Sequence, residues 1–415
     1  MHANHMKAIA KLAGGMLFLL PDILLPSRSF SAEKPIELGV TLPLTGADAE
    51  DAKLVEQGFA MAIDEANGKH EIPGYRLQLR ILSTSTVTSG QYDPAQAATD
   101  ARMLIADPAV VANLGPYMSG SGMAMAPVLS AANLATITPT STNPKLTDPK
   151  YAGEFDPGGK PIYFRTCATD AFQGPYMANY MKDVLKVKSV FILDDSGSGG
   201  VGGADEFQKR AEEIGLTVLG RDHLDPMAAD YNVILTKIKG LHPDALYYAG
   251  VAGAGTKLIQ QSYPILPDIV KAGVDGIYGA DILKGAGFPA VQGWYVTVPA
   301  PHIVNTPAGA DWAKRFAARF GNQPSDYSAL AYDAGLVAVD AVGRVVASGL
   351  PVDRANVEAA ILATNIQTLQ GNVSFSPTGD VKKPIISIFR VEHDPGYPVA
   401  DVTHQFKYIG VAPSD

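Results

Sequence analysis

From Ile36 onward the chain alternates short β-branched apolar runs with segments whose apolar residues recur at helical spacing, the pattern of βαβ units on a parallel sheet. The first half reads as strand IELGVTLPL, a helix over about 51–67, strand YRLQLRILS, a helix over about 93–105, strand VVANLGP, a helix over 122–132 and strand ATITPTS. Four strands and three crossover helices predict one α/β lobe. YAGEFDPGGKP (151–161) is rich in Pro and Gly and reads as a link. The alternation then restarts with a helix over 173–185, SVFILDD, a helix over 204–214, LTVLGRD, a helix over 231–239, DALYYAG, a helix over 255–262 and GIYGAD. This predicts a second lobe of the same design.

The last third breaks the alternation. Strand GWYVTVPAP is followed by three helices, Pro307 to Phe320, Tyr327 to Ser348 and Arg354 to Ala363, before PIISIFRVE and HQFKYIG return to strand character. Three successive helices fit best as cover for a lobe already built, so the chain is expected to cross between lobes near 162–167, 294–300 and 370–380. The predicted fold class is α/β: two lobes, each a mostly parallel sheet flanked by helices, joined by three hinge crossings. Residues 33–163 and 296–372 are assigned to lobe 1, and 164–295 and 373–415 to lobe 2. Open α/β sheets bind ligands at the carboxyl ends of their strands. Two such lobes face each other across a cleft, and ligand-binding residues are sought just after strands.

Composition narrows the function. With 415 residues and a net charge of -9 the chain offers no sustained basic face, so nucleic acid is not an expected partner. Residues 1–32 follow the order of a secretory signal peptide: Lys7 and Lys11, an apolar run from Leu12 to Leu25 broken by Pro21 and Asp22, then small residues with cleavage after Ser31 or Ala32. A periplasmic protein, soluble after cleavage, is expected. Cys167 is the sole cysteine and reads as a small buried residue. The eight histidines show no metal-binding spacing, and no cofactor is expected.

The strongest local signal runs from Leu114 to Thr147. Ser119, Gly120 and Ser121 stand where a helix follows a strand, which suits an anion such as a carboxylate. The next strand ends in Thr140, Ser141 and Thr142, a second set of hydroxyls. Plain helix and turn capping by Ser119 and Thr142 is the competing reading.

GPYMSGSG with APVLSAANLATITPTSTNPKLT resembles the core motif of the branched-chain amino acid binding family, the type I periplasmic solute-binding proteins of ABC importers. IELGVTLPLTGADAEDAKLVEQGFAMAIDEAN, YFRTCATDAFQG and YSALAYDAGLVAVDAV resemble that family's first strand and helix, first hinge crossing and late helix. The resemblance implies that Ser119 and Thr142, with the Thr140 backbone, hold a ligand α-carboxylate. It implies that an acid of the second lobe takes the α-ammonium, with Asp281 as its counterpart; a helix-capping Asp281 is the alternative. It places Asp51 where an aromatic residue often lines the side-chain pocket, which points to a polar or cationic ligand group. Gly199, Val251 and Ala252 stand where aromatics are common in the family, so a wider cleft is expected. Tyr117, Gln173, Tyr247 and Tyr248 are candidate replacement contacts.

SVFILDDSGSGGVGG contains Gly197, Gly199 and Gly202 in GxGxxG spacing, with Asp222 at the distance of a ribose-binding acid. An NAD-dependent oxidoreductase is the enzyme reading of that loop. Asp194 and Asp195 just before it would repel phosphate, and no cation follows until Lys209, so a flexible lid on the cleft rim is the preferred reading. The expected function is non-enzymatic capture of a small amino acid or related carboxylate for an ABC permease, with a ligand-sensing module as the alternative.

Overall fold

The structure, a computed structural model, describes residues 33–413; the predicted signal peptide lies outside them. Strands β1 (Lys34–Leu42), β2 (Tyr75–Ser83), β3 (Val110–Leu114), β4 (Thr136–Thr138) and β5 (Tyr163–Arg165) form one sheet in the order β2-β1-β3-β4-β5. Every neighbouring pair is parallel. β3 and β4 are buried at every position, as expected of parallel strands covered on both faces. The crossovers are α1 (Ala49–Gly68), α2 (Pro94–Ile105) and α3 (Ser119–Ala131); a short α4 (Ala152–Phe155) precedes β5. α2 starts where Asp93 accepts the N–H groups of Ala95 and Gln96 at 2.9 and 3.3 Å, with Pro94 in its first turn.

The sequence predicts four strands here. The fifth, β5, is three residues long and too short to show a period. The Arg165 side chain is nevertheless fully buried and held by the Ser141 and Asn143 carbonyls, each at 2.8 Å, and by Asp380 at 2.9 Å.

The second sheet uses β6 (Ser189–Asp194), β7 (Thr217–His223), β8 (Ala245–Ala249), β9 (Val270–Gly273) and β10 (Tyr295–Val298). Between them run α5 (Asp170–Asp183, entering β6), α6 (Ser198–Glu213), α7 (Asn232–Leu241), α8 (Ala252–Ile265) and α9 (Ala280–Ala286). GIYGAD is not a strand; it forms a 3-10 turn over Asp275–Ile277 and the start of α9. The turn packs closely against the β8 loop, where a Cβ on Gly276 would stand 2.3 Å from the Gly250 carbonyl.

Helices α10 (Pro307–Phe320), α11 (Asp326–Ser348) and α12 (Arg354–Leu362) return to the first lobe. Arg319 and Arg315 reach Asp64 and Glu65 of α1, and Arg354 donates to the carbonyls of Leu104, Asp107 and Val110. The hairpin β11 (Asn365–Thr368) and β12 (Gly371–Ser374) follows. β13 (Ser387–Val391) and β14 (Phe406–Val411), with the short α13 (Val402–Gln405) between them, add antiparallel to β10. The second sheet is thus ordered β14-β13-β10-β9-β8-β6-β7. The crossings lie side by side: Arg165 N–H bonds the Gly379 carbonyl at 3.1 Å, Ala168 N–H the Pro299 carbonyl at 2.9 Å, and Ser387 Oγ the Ala300 carbonyl at 2.7 Å.

α1 and α11 approach each other through glycine. A Cβ on Gly58 would lie 2.2 Å from the Ser328 carbonyl oxygen, and one on Gly335 would lie 2.6 Å from Ala62 Cβ. Overpacking of this kind costs about 1–3 kcal/mol. Gly58→Val is therefore expected to lower the melting temperature by several degrees, and an unchanged melt would show that the helices are not so closely packed.

Candidate ligand-binding site between the lobes

The link from β3 to α3 begins at Gly115, whose φ of +113° is left-handed and whose Cβ would stand 2.5 Å from the Thr41 carbonyl, so the turn requires glycine. The N–H groups of Ser119, Gly120 and Ser121 precede the first intrahelical bond, from Gly122 N–H to the Met118 carbonyl at 2.9 Å. No side chain among the described residues caps them, and the first turn carries no acid. They give the N-terminus a partial positive charge suited to an anion. Ser119 Oγ accepts the Asn143 N–H at 3.2 Å and so keeps its own proton to donate. Thr140 Oγ1 donates to the Tyr117 carbonyl at 2.7 Å, and Thr142 Oγ1 to Asp170 at 3.0 Å.

Across from this helix end lies a space of about 560 Å³, part of it open to solvent. Its first-lobe wall includes Tyr92, Tyr117, Ser119, Gly120, Thr140, Thr142 and Tyr327. Its second-lobe wall carries three acids, Asp170, Asp195 and Asp275, with Gly199, Gly200 and Val251 between them. Asp195 directly follows β6 and Asp275 closely follows β9, as a strand-end cleft requires. No Lys, Arg or His is among the described residues that line it. Gln173 donates to both Asp170 and Asp275, at 2.8 and 2.7 Å, and the Tyr327 hydroxyl of the first lobe donates to Asp275.

Burial sets the protonation of these acids. It raises Asp170 well above the usual carboxylate range, with the Asp275 charge adding and the Gln173 and Thr142 hydrogen bonds opposing. Asp275 is raised by the same desolvation against the bonds from Tyr327 and Gln173. Asp195 is pushed up to about 6 by burial, opposed by the Val251 and Gly197 N–H groups. Asp48 is pushed up to about 7 by burial and then by the charges of Asp281 and Asp195. Unfolded, each would titrate near pH 4, so between about pH 4 and about pH 7 the folded state binds more protons and stability falls as pH rises. The ligand-free protein is expected to melt at a lower temperature at about pH 7.5 than at about pH 5, and Asp48→Asn to flatten that decline. An identical pH slope in the variant would contradict the assignment.

Of the residues singled out in the sequence, the fold brings Tyr117, Ser119, Gly120, Thr140 and Thr142 to the cavity. Ser121 and Ser141 are buried elsewhere; Ser141 Oγ accepts the Tyr163 hydroxyl at 2.8 Å. Gln173 stands behind Asp170 and Asp275. Tyr248 donates to the Val251 carbonyl at 3.0 Å and so supports the rim, while Tyr247 stacks on Phe207 in the core. Asp51 and Asp281 do not line the cavity; they clasp the lobes beside it. Asp51 accepts the Ala280 N–H at 2.8 Å, and Asp281 accepts the N–H groups of Glu50 and Asp51 at 3.1 and 3.2 Å, so each acid sits on the other's helix N-terminus. The Lys284–Glu50 ion pair lies alongside.

Sequence reasoning misses Tyr92, Asp170, Asp195, Asp275 and Tyr327 as site residues. Asp275 is hidden by the reading of GIYGAD as a strand. The legible signal is VKAG followed by Val-Asp-Gly, a short strand running into a turn. The glycine loop is also corrected: Ser198 to Gly203 are the first turns of α6, not a flexible lid. A Cβ on Gly202 would lie 2.4 Å from Asn143 Nδ2, so glycine lets this helix end press against the first lobe, and one on Gly200 would lie 2.2 Å from Asp195 Oδ1 of its own lobe. Asn143 Nδ2 donates to the Ser198 carbonyl at 2.7 Å across that contact.

The chain is similar to proteins of one kind. The Leu/Ile/Val-binding protein homolog 3 of Brucella melitensis is 27% identical over 362 residues, covering 87% of this chain and 92% of that protein. The fold matches the leucine binding protein LivK of Thermotoga maritima with a TM-score of 0.77 at 24% identity, covering 91% and 98% of the two chains. It also matches an ABC transporter solute binding protein of R. palustris in complex with 4-hydroxybenzoate, with a TM-score of 0.75 at 18% identity over 91% and 97%. The periplasmic binding protein family matches residues 35–394, and the two-lobed α/β fold is that of the matching solved structures. The chain belongs to the periplasmic binding proteins.

Proposed function

We propose that this chain is the solute-binding component of an ABC importer, exported to the periplasm, which captures an α-amino acid between its lobes and delivers it unchanged to a membrane permease. One observation carries the reading: an uncapped helix N-terminus on one lobe faces buried carboxylates on the other across an interlobe cavity. The N–H groups of Ser119 and Gly120 and the Ser119 hydroxyl receive the α-carboxylate. Asp275, flanked by Asp170, receives the α-ammonium; Asp281 is occupied as a clasp. A solute bridging both walls favours the shut arrangement of the hinge. The R. palustris neighbour holds an acid with no amino group. Three acids on the facing wall favour a solute with an ammonium here.

The reading is tested by thermal shift with L-amino acids and with the matching acids that lack the amino group, because a ligand of the folded state raises the melting temperature. Amino acids are expected to stabilise the protein and the deaminated acids to do so weakly. Ser119→Ala is expected to weaken amino-acid affinity about tenfold or more through the loss of a hydrogen bond to a charged group. Equal shifts from both ligand sets, or unchanged affinity in Ser119→Ala, would refute these roles.

A further inference from the structure

The cavity is more acidic than an α-amino acid's own ammonium requires, a surplus whose meaning rests on the amino-acid function proposed above. With Asp275 and Asp170 assigned to the ammonium, Asp195 remains on the cavity wall. Its two oxygens accept the N–H groups of Gly197 and Val251, each at 2.9 Å, which leaves lone pairs on both. From the first lobe Asp48 stands close enough to Asp195 for their charges to repel. Asp48 is only 5% exposed, and its Oδ2 has no hydrogen-bond partner among the described residues. The Asp48 carboxyl accepts the Ala252 backbone N–H, but its orphaned oxygen is costly to bury, and a cation nearby offsets that cost.

The surroundings also suit a cation. A Cβ on Gly197 would lie 2.8 Å from the Tyr92 hydroxyl and 3.0 Å from Asp195 Oδ1, so a phenol and a carboxylate share this end of the cavity. No basic side chain among the described residues lines the wall to neutralise them. Gly199 adds no side chain to the same wall. An aliphatic ligand side chain would cover Asp195, the one of the two acids on the wall, and return nothing. We propose that the solute carries a second positive charge, the ammonium or guanidinium of a dibasic amino acid, seated on Asp195 at the Tyr92 end with Asp48 as the buried counter-charge behind it.

Titration calorimetry of the mature protein with L-arginine, L-lysine and L-leucine tests this. At least one basic amino acid is expected to bind about tenfold or more tightly than leucine, which is the discrimination a charge-assisted contact provides. Asp195→Asn and Asp48→Asn are each expected to weaken that basic ligand about ten- to hundredfold, and by at least about tenfold more than leucine. Asp195 also holds two backbone N–H groups, so Asp48→Asn serves as the second variant, with both melts recorded. Leucine binding as tightly as arginine and lysine, or equal losses for basic and neutral ligands in Asp48→Asn, would overturn the second charge while leaving the amino-acid function intact. If no amino acid binds at all, the function proposed above fails and this inference falls with it.

Discussion

Asp275→Asn is expected to weaken amino-acid binding about a hundredfold, because truncating one partner of a buried, hydrogen-bonded charge pair costs 2–5 kcal/mol or more, roughly thirtyfold to several thousandfold. The loss is separable from damage to the scaffold. Asp275 and Asp170 share the Gln173 amide and repel each other in the folded protein. Removing one of the two charges relieves that repulsion, so the ligand-free variant is expected to melt at the wild-type temperature or above at neutral pH. Calorimetry and melting on the same sample check both halves. Wild-type affinity in the variant would remove Asp275 from the ammonium role, and a lowered melt with lost affinity would mark it as a scaffold residue.

Gly202→Leu is expected to cost at least about tenfold in affinity without touching the solute, since apparent affinity falls in proportion to the fraction of molecules able to close. Gly202 lies on α6 of the second lobe, and its missing Cβ is the space into which Asn143 of the first lobe fits. A leucine there wedges the rim apart and breaks the Asn143 bond to the Ser198 carbonyl. Small-angle scattering should show the wild type contracting on adding ligand and the variant remaining extended. Contraction of the variant to the wild-type radius would show that the α6 rim does not limit closure.

Elements with a long, clear period are legible in the sequence. YRLQLRILS is β2 from its first residue to its last, and the three late helices do cover the first lobe. β9 is not, because four residues including Lys271 give no period to read. The beginning of α6 is hidden for a different reason. Its glycines have low helix propensity, and the packing against Asn143 and Asp195 that selects them is a tertiary fact.

The site divides along similar lines. The uncapped helix start at α3 is readable from a strand running into Ser-Gly-Ser. Which hydroxyls of the second cluster face the cavity depends on the alternation of an extended segment. Thr140 and Thr142 line the space while Ser141 turns back toward Tyr163. Asp281 stands outside the cavity and Asp275 lines it, because the supposed strand GIYGAD is a turn and a helix start. Asp195 is visible only as an acid that repels phosphate. The property that makes it a poor neighbour for a dinucleotide makes it a good one for a cation.

The most direct measurement is a crystal structure of the mature protein with its tightest-binding amino acid. The account predicts the α-carboxylate within hydrogen-bonding distance of the Ser119 and Gly120 N–H groups and the Ser119 hydroxyl, with the α-ammonium on Asp275. A ligand held in the opposite sense, its carboxylate toward the second-lobe acids, or bound outside the space between the lobes, would contradict it.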